Sequence, residues 1–192
     1  MPRVAKDIGP FLLVTSEDTL SLVLETLSVV LEVEKGRWLT EELAAALVAA
    51  VLDVWSKNTK GWSYSHSAVP FSCFSDPIFL SIFPDILSSL ASSTNPGMYE
   101  AVVKQALPPL CNSIGNAPLN EPWVASSAID LVSSLVGGSP QSGLGGGFFA
   151  MLAPPLFKCL QEAEDRDVLQ VSIFSWSANV NFFIFCRMVL LV

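Results

Sequence analysis

The chain has 192 residues, enough for one domain with a buried core, and 51% of them are hydrophobic, which excludes an acidic disordered chain. Lys and Arg number 10 against 18 Asp and Glu, a formal charge of −8. The basic face that a nucleic-acid binder needs is therefore not expected.

In chain order, the N-terminal stretch carries Arg3 and Lys6, but its apolar run at 11–14 is four residues long with no cleavage signature after it. It does not resemble a signal peptide, and a cytosolic or nuclear start is expected. Ser16, a cap residue, precedes Glu17 and Asp18, and apolar residues then recur at helical spacing from Leu20 to Leu31, predicting a helix over 17–33. Glu34-Lys35-Gly36-Arg37 is a polar turn, and Thr40-Glu41-Glu42 opens a second helix through Leu43, Leu47, Val51, Leu52 and Trp55. The connection is short enough to make the two antiparallel.

The same pattern recurs twice. Asp76-Pro77 opens a helix over 78–92, and Asn95-Pro96, read as cap plus first-turn proline, opens one reaching 114. Asn120, Glu121 and Pro122 open a helix to about 136, followed by a Gly/Ser/Pro loop and a partner helix over 148–161. Glu164-Asp165-Arg166-Asp167 then starts a fourth unit. Phe79 to Trp123 is 44 residues and Trp123 to Val168 is 45; Leu20 to Phe79 is 59, or 44 once residues 61–75 are discounted. Ala-Leu-Pro-Pro-Leu at 106–110 returns as Leu-Ala-Pro-Pro-Leu at 152–156, with the prolines 46 apart. A period near 44 filled by helix pairs predicts an all-α chain, an α-solenoid of antiparallel HEAT-type pairs, three plus the start of a fourth. Leu24, Leu27, Leu47, Leu52, Ile82, Leu87, Leu107, Ile129, Leu135 and Leu156 are expected to face inward. The recurrent Pro-Pro pairs predict a bend in two helices, or alternatively a stop and restart.

Two segments depart from this pattern. Residues 61–75 hold no Asp, Glu, Lys or Arg and residues 171–192 hold only Arg187, yet together they carry 9 of the 19 aromatics. The array is accordingly expected over 1–170, interrupted by a non-homologous insert at 61–75, with 171–192 a hydrophobic tail outside it. Both segments are compatible with translated non-coding sequence. Val168 to Cys186 has no charge, but Gln170, Asn179, Asn181 and three serines speak against a spanning helix. A small membrane-associated helical protein anchored by this tail is the alternative to the repeat array.

Sites of chemistry are few. His66 is the single histidine and falls in the insert, and Cys73, Cys111, Cys159 and Cys186 form no CxxC, so neither a catalytic base, a zinc site nor a redox dithiol is indicated. The glycine run at 143–147 follows no strand and precedes no Gly-Lys-Ser/Thr, which makes it an inter-helix loop. Glu162, Glu164, Asp165 and Asp167 form an acidic cluster around Arg166. Three readings are open for it: a dipole-matched helix start, a contact for basic cargo, or a metal site. No enzyme activity, cofactor or metal is expected.

Three stretches, 18–40, 76–110 and 122–170, resemble the middle-to-C-terminal HEAT repeats of the importin-nine-like branch of the importin-β (karyopherin-β) nuclear transport receptors, and the resemblance covers roughly 11–60 and 76–170, about 145 residues. The resemblance implies a fragment of a receptor that shuttles between cytoplasm and nucleus. Its partners would be basic cargo such as core histones or ribosomal proteins, phenylalanine-glycine nucleoporins and the GTPase Ran. The N-terminal repeats through which such receptors engage Ran have no counterpart here, and no partner contact is carried onto a numbered residue.

Overall fold

The computed structural model describes residues 2–13, 17–59, 77–95, 97–118, 121–139 and 146–162. Among them every regular element is helical: α1 (Pro2–Ile8), α2 (Glu17–Glu32), α3 (Glu41–Thr59), α4 (Pro77–Ala91), α5 (Met98–Gly115), α6 (Pro122–Gly137) and α7 (Gly146–Glu162), with 3-10 turns at Gly9–Leu13 and Val33–Gly36. The expected all-α class and the six principal helices are present, close to their expected ends except that α3 runs four residues past Trp55, to Thr59. The insert 61–75, the tail 171–192, Ser16, Asp76, Pro96 and Asn120 lie outside the described residues. None of the described helices is long and apolar enough to cross a membrane.

Alternate helices pack closely on one another, and the consecutive α5 and α6 do so as extensively. α2 packs on α4 and α4 on α6, while α3 packs on α5 and α5 on α7; α5 also lies against α4 and α6, and α3 against α4. The even and odd helices thus form two layers around one core. All ten residues expected to face inward are buried, with Leu24, Leu27, Leu87, Leu107 and Leu135 wholly so. Fully burying one such side chain is worth roughly 1.5–3 kcal/mol, so the apolar stripes supply the main force holding the layers together.

The helix starts differ in chemistry. Thr40 caps α3: its hydroxyl accepts from the Leu43 amide at 3.3 Å, with Glu41 and Glu42 in the first turn. Pro122 occupies the first position of α6, where its missing N–H costs nothing. Asn95, expected to cap α5, does not. Gly97 stands at that N-cap with φ +81°, and the Asn95 side-chain amide donates instead to the Leu39 carbonyl at 2.6 Å and the Arg37 carbonyl at 3.3 Å. The cap is displaced by a tertiary contact that the local sequence does not reveal.

This contact joins two successive turns. Glu34, Lys35 and Gly36 all have positive φ (54°, 52° and 66°), reversing the chain between α2 and α3. The Ser93 hydroxyl donates to the Gly36 carbonyl at 3.1 Å and the Thr94 amide to the Lys35 carbonyl at 3.2 Å. A Cβ on Gly36 would sit 3.0 Å from Ser93 Oγ and from Leu39 Cδ1. The turn after α6 leans on α4 in a similar way: a Cβ on Gly138 would lie 2.7 Å from Ala91 Cβ and 3.0 Å from the Ser88 carbonyl oxygen. The α2–α3 turn, Ser93 to Asn95 after α4 and Gly138 after α6 therefore lie together along one edge.

At the opposite edge two tryptophans bind α3 to α6. The Trp55 indole donates to Ser127 Oγ at 2.8 Å, and the Trp123 indole donates to the Thr59 carbonyl at 3.1 Å. The buried Thr59 hydroxyl donates to the Trp55 carbonyl, so no polar atom at this joint is left without a partner.

α5 and α7 continue through Pro108-Pro109 and Pro154-Pro155; neither stops and restarts there. Pro155 cannot donate to the Met151 carbonyl four residues earlier. That oxygen instead accepts the Cys111 thiol of α5 at 3.8 Å, while Lys158 of α7 donates to the Gly115 carbonyl at the end of α5, 2.6 Å away. A lysine at that end also complements the helix dipole. Pro155 rests against Gly115, where a Cβ would come within 3.0 Å of its ring. The second proline thus sits at the α5–α7 contact, with its orphaned carbonyl satisfied from across it.

Candidate functional site

The acidic cluster is only partly described. Glu162 is the last residue of α7 and is exposed; Glu164, Asp165 and Asp167 lie outside the described residues, so their grouping with Glu162 is not part of the observed geometry. His66, Cys73 and Cys186 lie outside as well, and α7 begins at Gly146, taking the last two glycines of the 143–147 run into the helix. Among the described residues no three His, Cys, Asp or Glu side chains come together in a way that could hold a metal ion.

The two cysteines described are placed for packing. Burial pushes the Cys111 thiol up to about 11. Cys159 is raised in the same direction, first by burial and then by the charge of Glu162. Both shifts favour the protonated thiol, opposite to what a nucleophile needs. Tyr99 is raised by burial, an effect opposed by its hydrogen bond with Ser139.

The charge distribution over the two layers is uneven. α2, α4 and α6 together contain Glu17, Asp18, Glu25, Glu32, Asp85 and Asp130 and not one Lys or Arg. α3, α5 and α7 contain Glu41, Glu42, Asp53, Glu100 and Glu162 balanced in part by Lys57, Lys104 and Lys158. Lys57 forms an i,i+4 pair with Asp53 at 2.6 Å on the exposed side of α3, an exposed contact of small energetic value.

Three acids of the even layer share one register. Asp85 and Asp130 are 45 residues apart; Glu25 and Asp85 are 60 apart, which is 45 once the 15 residues of 61–75 are removed. Asp85-Ile86-Leu87-Ser88-Ser89-Leu90 repeats as Asp130-Leu131-Val132-Ser133-Ser134-Leu135, and Glu25-Thr26-Leu27-Ser28 is its shorter counterpart. Each acid is exposed while its neighbours at +2, Leu27, Leu87 and Val132, are buried, so each points away from the core. The three carboxylates therefore form a row on successive helices of the even layer, and packed helix axes lie about 8–10 Å apart. The aromatic and proline recurrences that mark the repeat carry no information on its polar positions; the recurring Asp-x-x-Ser-Ser-Leu is the sequence signal for this row.

α2 adds exposed apolar surface beside the row. Leu22 and Val29 are 63% and 65% exposed and alternate with Glu25 and Glu32 at spacings of three and four residues, so the four share one face. Such a face can take a partner that is both cationic and apolar.

No family model matches the chain, and no match is found among curated proteins or solved structures. The fold and the charge row therefore carry the functional reading.

Proposed function

We propose that this chain is a HEAT-repeat solenoid fragment of an importin-β-like nuclear import receptor, of the importin-nine-like branch, and serves as a binding scaffold for basic protein cargo between cytoplasm and nucleus. The observation that carries the reading is the even layer: six acids, no base, and one outward carboxylate per 45-residue unit. A surface of a single sign attracts a cationic partner over several ångströms and fixes its orientation on contact. The stacking of α2, α4 and α6, and of α3, α5 and α7, supports an array of successive helical units, which offers extended faces of this kind. Core histones and ribosomal proteins have the matching chemistry, as lysine- and arginine-rich chains. Ran and phenylalanine-glycine nucleoporins belong to the same proposal through the family resemblance.

The test is binding of a lysine-rich histone-tail peptide to the full chain, followed by fluorescence anisotropy at 50 and 300 mM salt. Reversing Glu25, Asp85 and Asp130 to Lys should weaken binding about tenfold or more at the lower salt, whereas Asp53→Lys with Glu100→Lys on the odd layer should change it little. Equal losses from both sets, or binding indifferent to salt, would remove the proposal.

A further inference from the structure

We propose that the outward face of α2 seats one basic amphipathic helix of a partner protein, with Leu22 and Val29 as its apolar contacts and Glu25 and Glu32 as its charge contacts. The inference rests on the reading of the even layer as a face for cationic partners and deepens it, by assigning the form of the bound segment and its place on α2.

The form follows from a repeat inside α2 itself. Asp18-Thr19-Leu20-Ser21-Leu22-Val23-Leu24 is followed by Glu25-Thr26-Leu27-Ser28-Val29-Val30-Leu31 and then Glu32, so the helix is written in heptads. Leu20, Leu24, Leu27 and Leu31 make the buried stripe, all at 5% exposure or less. Leu22 and Val29 are a second apolar pair on another side, 63% and 65% exposed, and Glu25 and Glu32 are exposed beside them. Each pair recurs after seven residues, about 10.5 Å along the axis. A facing helix returns the same side at that interval, which is the geometry of a coiled-coil seam. An extended strand rises about 3.3 Å per residue and would meet successive contacts with opposite sides.

The register of the even layer leads to the same form. Leu22 and Thr26 correspond to Ile82 and Ile86 once 61–75 is discounted, as Glu25 corresponds to Asp85. In α4, which lies between α2 and α6, Ile82 is 7% and Ile86 0% exposed. In α2, whose one described even-layer neighbour is α4, Leu22 and Thr26 are exposed. The difference falls on the side of α4 that meets α2, so a helix is the cover this position takes within the array.

Charge selects the occupant. Among the described residues neither Glu25 nor Glu32 has a cation within ion-pair distance, and no even-layer helix holds a Lys or Arg. A second copy would bring the same glutamates onto this face, where like charges repel. Residues 61–75 hold no Lys or Arg and 171–192 only Arg187, so neither segment supplies the complement. A helix with apolar residues at heptad spacing and Lys or Arg beside each meets both requirements.

The probe is a fluorescein-labelled helical peptide of about 18 residues, with Leu at heptad spacing, Lys beside each Leu and Ala elsewhere, titrated with the full chain at about 50 mM salt. It should bind about tenfold more tightly than a scrambled peptide of the same composition, and than one with Pro at its centre, which cannot continue the helix. Leu22→Gln with Val29→Gln should reduce it to the scrambled level, leave binding of the lysine-rich tail peptide unchanged, and move the melting temperature by no more than about 2 °C. Equal binding of the scrambled or proline peptide, or no loss on the double Gln substitution, would overturn this proposal alone, provided that the tail peptide keeps its dependence on Glu25, Asp85 and Asp130. A tail peptide indifferent to those three acids would remove the broader reading and this proposal with it. A fall in melting temperature of about 5 °C or more in the double Gln variant would also overturn it, since part of this chain would then cover the face. So would a parent dimer that dissociates on the same substitutions, since a second copy would then be the occupant.

Discussion

Gly138 shows how much a single missing methyl group can decide. Its ideal Cβ would fall 2.7 Å from Ala91 Cβ and 3.0 Å from the Ser88 carbonyl, both fixed within α4. Neither neighbour is a flexible side-chain end, so Gly138→Ala forces the turn after α6 away from α4. The expected loss is about 1–3 kcal/mol, read as a melting temperature lower by roughly 3–10 °C. Gly147, in the first turn of α7, has nothing within 4 Å of its Cβ position; there Ala should be neutral or stabilise by up to about 1 kcal/mol. Cys111 makes a second prediction at this scale. Its folded thiol ionises near 11, against a reference of 9.0, because of burial. Below the reference value the stability it contributes is complete; as pH rises between about 9 and 11 the unfolded chain releases its proton first, and stability falls. Urea midpoints across that interval should decline, and Cys111→Ala should decline less steeply over the same interval even though its overall stability is lower.

Among the elements, α5 and α7 carry the same Pro-Pro device in different settings. Pro109 leaves the carbonyl of the exposed Gln105 without its helical donor, whereas Pro155 leaves that of Met151, which Cys111 satisfies. Pro109→Ala should therefore restore a helical bond at little cost elsewhere, stabilising the chain by about 1–2 kcal/mol once the added freedom of the unfolded state is set against it. Pro155→Ala should gain less, because the restored bond displaces the Cys111 thiol and the smaller side chain leaves a gap beside Gly115. Denaturant midpoints of the two variants, measured together, decide the order; a larger gain at 155 would contradict the role given to Cys111. The paired prolines were legible in the sequence, as were all ten inward residues, because a 3.6-residue apolar period reports directly on which face is buried. The function of Asn95 was not: its local neighbours spell a cap, and only the approach of the α2–α3 turn turns its amide toward Arg37 and Leu39. The Glu34–Gly36 reversal was legible as a turn, but its three positive φ values follow from the fit against Ser93, 57 residues away.

At the scale of the whole molecule, the binding role proposed for the even layer would set stability and binding in opposition. Glu25, Glu32, Asp85 and Asp130 are exposed carboxylates on helices that hold no base, and a face of one sign repels itself while it attracts cations. The row was present in the sequence as a 45-residue recurrence, but its meaning needed the helices to be sorted into layers, which chain order alone does not do. Reversing one member, as in Asp85→Lys, converts like-charged neighbours on both sides into attractive pairs. At about 20 mM salt the variant should melt at the parental temperature or up to about 2 °C higher, since exposed pairs contribute only about 0–1 kcal/mol each. Its affinity for the lysine-rich peptide should nevertheless fall about threefold. Both differences should shrink toward zero by about 500 mM salt, where the screening length falls to roughly 4 Å, below the spacing of the row. Parallel melting and binding titrations across that salt range check the opposition. Loss of stability together with binding would mean that Asp85 holds the fold, and that the row is structural rather than a docking face.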